Sequence, residues 1–281
     1  MEISCTVRLM KPEEVNIAVA WARQEGWNPG IHDGECFFKV DPSGFFIAEQ
    51  DEKPVATAVV ANYTPEFAFG GFFIVHPDYR GKGVGTCISR SAMAHAGSRN
   101  LGIDGVLAMQ SRYTERDGFI FAYRNKRFEG MGGGTIPEGL VAGNEVPFSE
   151  LDRFDREHFP APRSLFLEAW IAQSDSSTLV AFGKDGGISG FGTIRTCFSG
   201  CKIGPLFAVD REVADRLFRG LAAFAPGLPV FLDVPEPNRN GLDLAARYRM
   251  DLVFETARMY TRQVPELPLQ EVFGVTSFEL G

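Results

Sequence analysis

Apolar positions along the chain fall into two runs of short elements separated by a glycine-rich stretch. Residues 3–9 (ISCTVRL) alternate apolar and polar as a strand does. Lys11-Pro12-Glu13-Glu14 then puts proline and acids where a helix opens, and Val15, Ala18, Val19 and Ala22 recur at helical spacing. Trp27-Asn28-Pro29-Gly30 breaks that helix, and a second short one is predicted over residues 33–40, ending at the turn Asp41-Pro42-Ser43-Gly44. Strands are predicted at 44–50 and 54–62 around a tight Asp51-Glu52-Lys53 turn. A third, at 66–75, carries Gly70-Gly71, and paired glycines inside a strand mark a bulge or a close backbone approach. After the loop at 79–85 come a helix to about Arg99, a strand at 105–110, a short helical segment to Asp117 and a strand at 119–128.

Residues 130–139 (GMGGGTIPEG) cannot sustain a helix or a central strand, so they form the predicted linker. Beyond it the same order returns: helices at 147–157 and 161–172, strands at 179–182, 188–195 and 201–209, a helix at 211–224, a strand at 229–234, a helix at 239–249 and a strand at 252–260. The expected architecture is therefore a duplicated α/β (α+β) fold, with domains at 1–136 and 137–281.

The chain's 281 residues suit two compact domains, and 44% hydrophobic with 23% charged residues is an ordinary globular balance. The acidic opening MEISCTVRLMKPEE resembles no export signal, and no apolar window approaches membrane-spanning length, so a soluble, cytoplasmic protein is expected. Five cysteines, odd in number and scattered, suit reduced thiols; only Cys197 and Cys201 are close, without further ligands nearby, and no metal is expected. A net charge of -8 disfavours nucleic acid as a partner. A small amine acceptor fits better, on a monomer or homodimer without membrane attachment.

The candidate chemistry centres on Tyr79-Arg80-Gly81-Lys82-Gly83-Val84-Gly85-Thr86, between a strand and a helix. Alternate glycines let successive N–H groups converge, the helix adds its positive N-terminal end, and Arg80 and Lys82 add charge, so the segment can cradle a pyrophosphate. The spacing matches neither a Walker loop nor a dinucleotide fingerprint, since Thr86 stands where the latter needs its third glycine.

Arg80-Gly81-Lys82-Gly83-Val84-Gly85, preceded by Ile74-Val75-His76-Pro77, resembles the cofactor loop of the GCN5-related N-acetyltransferase (GNAT) superfamily. The resemblance implies two tandem GNAT-like domains, each a mixed, mostly antiparallel sheet flanked by helices. It implies acetyl-CoA as cosubstrate, with the backbone around Phe72, Phe73, Ile74 and Val75 bonding its pantetheine arm. The second half, through FLDVPEPN at 231–238, ETARMY at 255–260 and the tail VFGVTSFELG at 272–281, resembles the second domain of a tandem group that includes holothin acyltransferases. Its equivalent loop, Val209-Asp210-Arg211-Glu212-Val213-Ala214, lacks the glycines, so no second cofactor is expected there. The apolar tail at 272–280 needs a surface to bury.

An amine must lose a proton before it attacks a thioester. Where many relatives place a glutamate on the third core strand, this chain has Phe69, which leaves Glu66 as the nearest carboxylate. The resemblance also implies a tyrosine that protonates the leaving thiolate: Tyr113, six residues before Phe119, is preferred over Tyr123. The loop holding Trp27, Asn28, His32 and Asp33 covers the acceptor end of this fold, where Asp33 could attract a cation or simply cap the next helix. His76, His95 and His158 are expected at the surface, and Trp170, Arg258 and Tyr260 in packing. The function so implied is acetyl transfer to a primary amine in a ternary complex; the alternatives are a non-catalytic acyl-CoA-binding module or a longer-acyl or aminoacyl transferase.

Overall fold

The computed structural model describes residues 5–281; Ile3 and Ser4 of the first expected strand lie outside the described residues. The first half runs β1 (Thr6–Leu9), α1 (Val15–Gln24), α2 (Asp33–Val40), β2 (Phe45–Gln50), β3 (Lys53–Asn62), β4 (Phe67–Val75), α3 (Val84–Ala96), β5 (Asn100–Val106), α4 (Gln110–Glu115) and β6 (Ile120–Met131). The second runs β7 (Leu140–Ala142), α5 (Phe148–Arg156), α6 (Ser164–Ile171), β8 (Ser176–Phe182), β9 (Ile188–Thr196), β10 (Cys201–Ala208), α7 (Arg211–Ala222), β11 (Pro229–Pro235), α8 (Arg239–Arg247) and β12 (Asp251–Tyr260), followed by a tail strand, β13 (Val272–Gly274).

All these strands join one sheet in the order β1-β2-β3-β4-β5-β12-β6-β11-β10-β9-β8-β7, with β13 against β10. Only β4·β5 and β10·β11 are parallel. The two halves exchange their last long strands. The second half's β12 pairs with β5 from Thr256↔Val106 to Tyr260↔Gly102, while the first half's β6 pairs with β11 from Pro229↔Met131 to Pro235↔Asn125. The glycine stretch after β6 continues that attachment, with Gly132 and Gly133 donating to the carbonyls of Leu228 and Ala222. The linker segment is thus bound to the second half rather than suspended between two bodies.

Helix α1 buries Val15, Ala18, Val19 and Ala22, the spacing that predicted it. Helix α2 carries the interface between halves: Phe37 stacks on Phe166 of α6 with centroids 5.6 Å apart, and Trp170 completes the cluster. β5 starts earlier than its predicted range of 105–110, and Gly102 and Gly105 both lie inside the paired strand. In the fold they are covered positions. A Cβ on Gly102 would meet the Phe69 ring at 2.8 Å, and one on Gly105 the Tyr113 ring at 2.7 Å. Residues 107–109 form a 3-10 turn instead.

Candidate active site

The parallel pairing of β4 with β5 begins at Phe67↔Asn100 and ends at Gly70↔Ile103. Beyond it the strands diverge, which leaves the β5-facing edge of β4 without a strand partner. Opposite, β3 pairs Val59 with Gly71 and Thr57 with Ile74, so β4 bulges at Phe72 and Phe73. Phe72 adopts φ 47°, a left-handed conformation that costs a non-glycine residue about 1–3 kcal/mol, and Thr57 Oγ1 steadies it by donating to the Phe72 carbonyl at 2.8 Å. Ile74 is buried, while Phe73 and Val75 line the approach to Gly85.

After β4, a turn at Pro77–Tyr79 leads into the glycine loop. Gly81 and Gly83 take φ 74° and 87°, conformations that side chains resist, and the space over both is open for at least 4 Å. α3 starts at Val84, so its first amides have no carbonyl one turn earlier and face that space. Arg80 is less free than its sequence suggests: Nε donates to the Val75 carbonyl at 3.0 Å and the guanidinium pairs with Glu25. It braces the loop. Lys82 lies over the Tyr79 ring, and Arg116, just past α4, donates to Thr86 Oγ1 at 2.9 Å. Arg116 is a cation at the loop that sequence order hid, since it approaches from another element. Open glycines, free helix amides, two cations and an unpaired strand edge together fit a phosphorylated, amide-bearing arm such as that of an acyl-CoA.

Tyr113 sits on α4 with its ring against Gly105, just past the last β4–β5 pair at Ile103, and edge-on to Phe119. Burial holds its hydroxyl above the ordinary phenol value, so it keeps its proton at neutral pH. Tyr123 is buried inside the sheet on β6, opposite Arg258, and burial raises its hydroxyl too. Glu66 is exposed at the start of β4, five residues and roughly 16 Å of strand from Gly71. That separation removes it from the divergence, and a base must be sought elsewhere.

The loop expected to meet the acceptor instead docks on the second half. Asn28 exchanges two hydrogen bonds with the Ser199 backbone at 2.9 and 3.0 Å and Ile31 donates to Thr196, while the Trp27 carbonyl accepts from Arg127 of β6 in its own half. His32 faces Asp175 at 3.2 Å. Asp33 is fully buried in a two-pronged ion pair with Arg195 of β9, at 2.7 and 3.1 Å, and also accepts from the Gly30 amide. These polar groups are engaged within the protein, and Asp33 binds an arginine rather than a substrate cation. His158 also departs from its expected surface position: it is buried between Phe154 and Phe207, with centroids at 4.6 and 4.8 Å. Trp170 lies under Arg195, and Arg258 pairs with Asp104 of β5 at 2.7 Å.

The second half repeats the divergence, with β10 leaving β11 after Ile203↔Leu232. There the chain supplies its own filling. β13 pairs with β10 at Leu206↔Gly274 and Phe207↔Val272, on the edge an acyl-CoA arm would use. At the start of α7, the Asp210 carboxylate accepts from the Val213 amide at 2.8 Å, putting negative charge where a pyrophosphate would sit. Among the described residues no group of three His, Cys, Asp or Glu is placed to hold a metal ion. No helix among them is long and apolar enough to cross a membrane.

Comparison with known proteins agrees with this geometry. Residues 11–111 match the acetyltransferase (GNAT) family and residues 151–274 an acetyltransferase (GNAT) domain. The chain is 32% identical over 272 residues to the holothin acyltransferase of a Pseudoalteromonas species, covering 96% of this chain and 92% of that one. Two solved structures share the fold. A proposed acetyltransferase of Pyrococcus horikoshii superposes with TM-score 0.84 at 22% identity, over 99% of this chain and 96% of that one. A tandem GNAT protein from the clavulanic acid biosynthesis pathway gives 0.64 at 13%, over 94% of this chain and all of the other. A duplicated fold, one open cofactor cleft and a full-length relative of known class converge: the chain belongs to the GNAT family of acyltransferases, as a tandem member with two copies of the fold.

Proposed function

We propose that the first half transfers an acetyl group from acetyl-CoA to a primary amine of a small molecule, by direct attack within a ternary complex. The observation that carries this reading is the open loop at Gly81 and Gly83 beside the unpaired edge of β4, a combination the second half has lost. Acetyl-CoA, when bound, supplies the activated thioester. The protein's part is to hold the arm in line at the divergence, polarise the carbonyl with free β4 amides, and keep a proton ready on Tyr113 for the departing sulfur. Holothin is the first acceptor to test, because a relative that matches over nearly the full chain is named for it.

The experiment is thiol release followed with Ellman's reagent, over holothin and a panel of primary amines, alongside calorimetry of acetyl-CoA binding. Acetyl-CoA binding with acceptor-dependent thiol release supports the reading. Tight binding without transfer to any amine would instead favour a module that senses acyl-CoA, the reading that Phe69 in place of a strand glutamate encourages. Faster turnover with longer acyl-CoA donors would shift the donor assignment.

A further inference from the structure

The last residues of the chain bring Glu279 to the divergence of β4 and β5. After β13 the tail crosses from the second half to the first. It passes over Gly204 of β10 at Thr276 and over Gly71 of β4 at Glu279, so closely that a Cβ on Gly71 would fall on the Glu279 carbonyl and lie 3.0 Å from its Cα. Several bonds fix this path. The Val275 amide donates to the Asp233 carbonyl at 2.9 Å, Arg163 donates to Thr276 Oγ1 at 3.0 Å, and Tyr63 Oη donates to the Leu280 carbonyl at 2.8 Å.

Glu279 is only 2% exposed, yet neither carboxylate oxygen has a hydrogen-bond partner. A buried polar group left unbonded costs about 1–3 kcal/mol or more, so its retention calls for an explanation. The groups facing it come from the surrounding strands: Arg127 on β6, Arg195 on β9 and Lys202 on β10 all lie within range of its charge. Both arginines are already committed, Arg127 to Asp233 of β11 and Arg195 to Asp33 of α2. Lys202 Nζ is likewise buried without a partner, and burial lowers its affinity for a proton. Asp104, the other carboxylate past the divergence, is occupied by Arg258 and Asn125.

Phe67, Phe69 and Gly71 share one face of β4, packed toward Tyr260, Phe159 and the tail, whereas Ala68 faces α3 and the cluster that includes Tyr113. Glu279 and Tyr113 therefore approach the divergence from opposite faces of the sheet.

Building on the N-acetyltransfer reading, we infer that Glu279 is the proton acceptor for the attacking amine, delivered by the C-terminal tail to a strand whose own position is the apolar Phe69. The amine nitrogen bonds to the thioester carbon as the carbon–sulfur bond breaks. The N–H proton passes to the Glu279 carboxylate, and the sulfur takes the Tyr113 hydroxyl proton. Exchange with water then returns Glu279 to carboxylate and Tyr113 to phenol, so the net change is amine plus acetyl-CoA to amide plus CoA.

The test compares the parent, Glu279→Gln and Glu279→Asp, all full length. Glu279→Gln should keep acetyl-CoA affinity within about twofold and lose about 100-fold in kcat, within the usual contribution of a general base. With two primary alkylamines of different basicity as acceptors, the ascending limb of kcat against pH that both share should vanish in Glu279→Gln and survive, at reduced rate, in Glu279→Asp. Independently of turnover, calorimetry with CoA present should show about tenfold weaker alkylamine binding to Glu279→Gln, since the ammonium loses its counter-charge. A Glu279→Gln enzyme that keeps the shared limb, or transfers within threefold of the parent, overturns the assignment while leaving N-acetyltransfer intact. A parent that binds acetyl-CoA but acetylates neither amine overturns the N-acetyltransfer reading, and the base role with it.

Discussion

Replacing Asp33 by alanine tests how the two halves hold each other. Arg195, fully buried over the Trp170 ring at 4.3 Å, would lose both prongs of its partner and keep only the Lys202 carbonyl at 3.5 Å. Breaking a buried pair from one side leaves an uncompensated charge and costs about 3–5 kcal/mol. The Gly30 amide would also lose its acceptor at 2.8 Å, adding about 1 kcal/mol. The sum, roughly 4–6 kcal/mol, should lower a urea midpoint by about 1–2 M for a slope near 3 kcal/mol/M. Because β6 and β12 are exchanged within a single sheet, tryptophan fluorescence and far-ultraviolet circular dichroism should report one coincident transition. The double variant Asp33→Leu with Arg195→Met should recover much of the loss, because apolar isosteres carry no desolvation cost. A loss below about 1 kcal/mol in Asp33→Ala would show that water reaches Arg195 and that the pair does not clamp the halves.

Three further outcomes bear on the cleft. Gly83→Asp sets a side chain at φ 87° and a negative charge against the open loop, so calorimetry should find acetyl-CoA binding abolished in a folded variant; unchanged affinity would place the cofactor elsewhere. Tyr113→Phe should keep acetyl-CoA affinity and lower kcat by about 10- to 1000-fold, whereas full activity there with a defect in Tyr123→Phe would reassign the acid. Titration should end at one equivalent of CoA per chain, because β13 and Asp210 occupy the second cleft, and a second equivalent would mean that the tail is displaced.

Much of the fold was legible because each element carries its own signal. The 15, 18, 19, 22 spacing of α1, the close backbone approach marked by Gly70-Gly71 and the glycine loop all lie within a few residues of chain, although the bulge itself falls at Phe72 and Phe73. What stayed hidden depends on residues far apart in sequence. Nothing near Gly102 or Gly105 announces that Phe69, Tyr260 and Tyr113 will lie over them, so the start of β5 at Asn100 stays hidden. Asp33 and Arg195 are separated by 162 positions, and their pairing turned an apparent acceptor loop into an interface. Arg116 reaches Thr86 from a different element, and Glu279 reaches Gly71 from the end of the chain. Strand exchange itself is invisible to a reading by element order, since β6 satisfies the same alternation whichever sheet neighbour it finds.

That exchange changes what the second copy of the fold contributes. A side-by-side duplicate could be cut away at the linker and leave the first half whole. Here the cut would remove β12, which covers β5 along its whole paired length, and leave the β6 edge that bonds β11 exposed. It would also remove the tail that lies on Gly71 and the β9–β10 hairpin that holds Asn28 and Asp33. The filled β10 edge of the second copy is part of the same path. β13 can begin the tail's crossing only because it takes the β10 edge that an acyl-CoA arm would otherwise occupy. The segment that fills the β10 edge of the second copy and the segment that lies on Gly71 of the first belong to the same ten residues, 272–281.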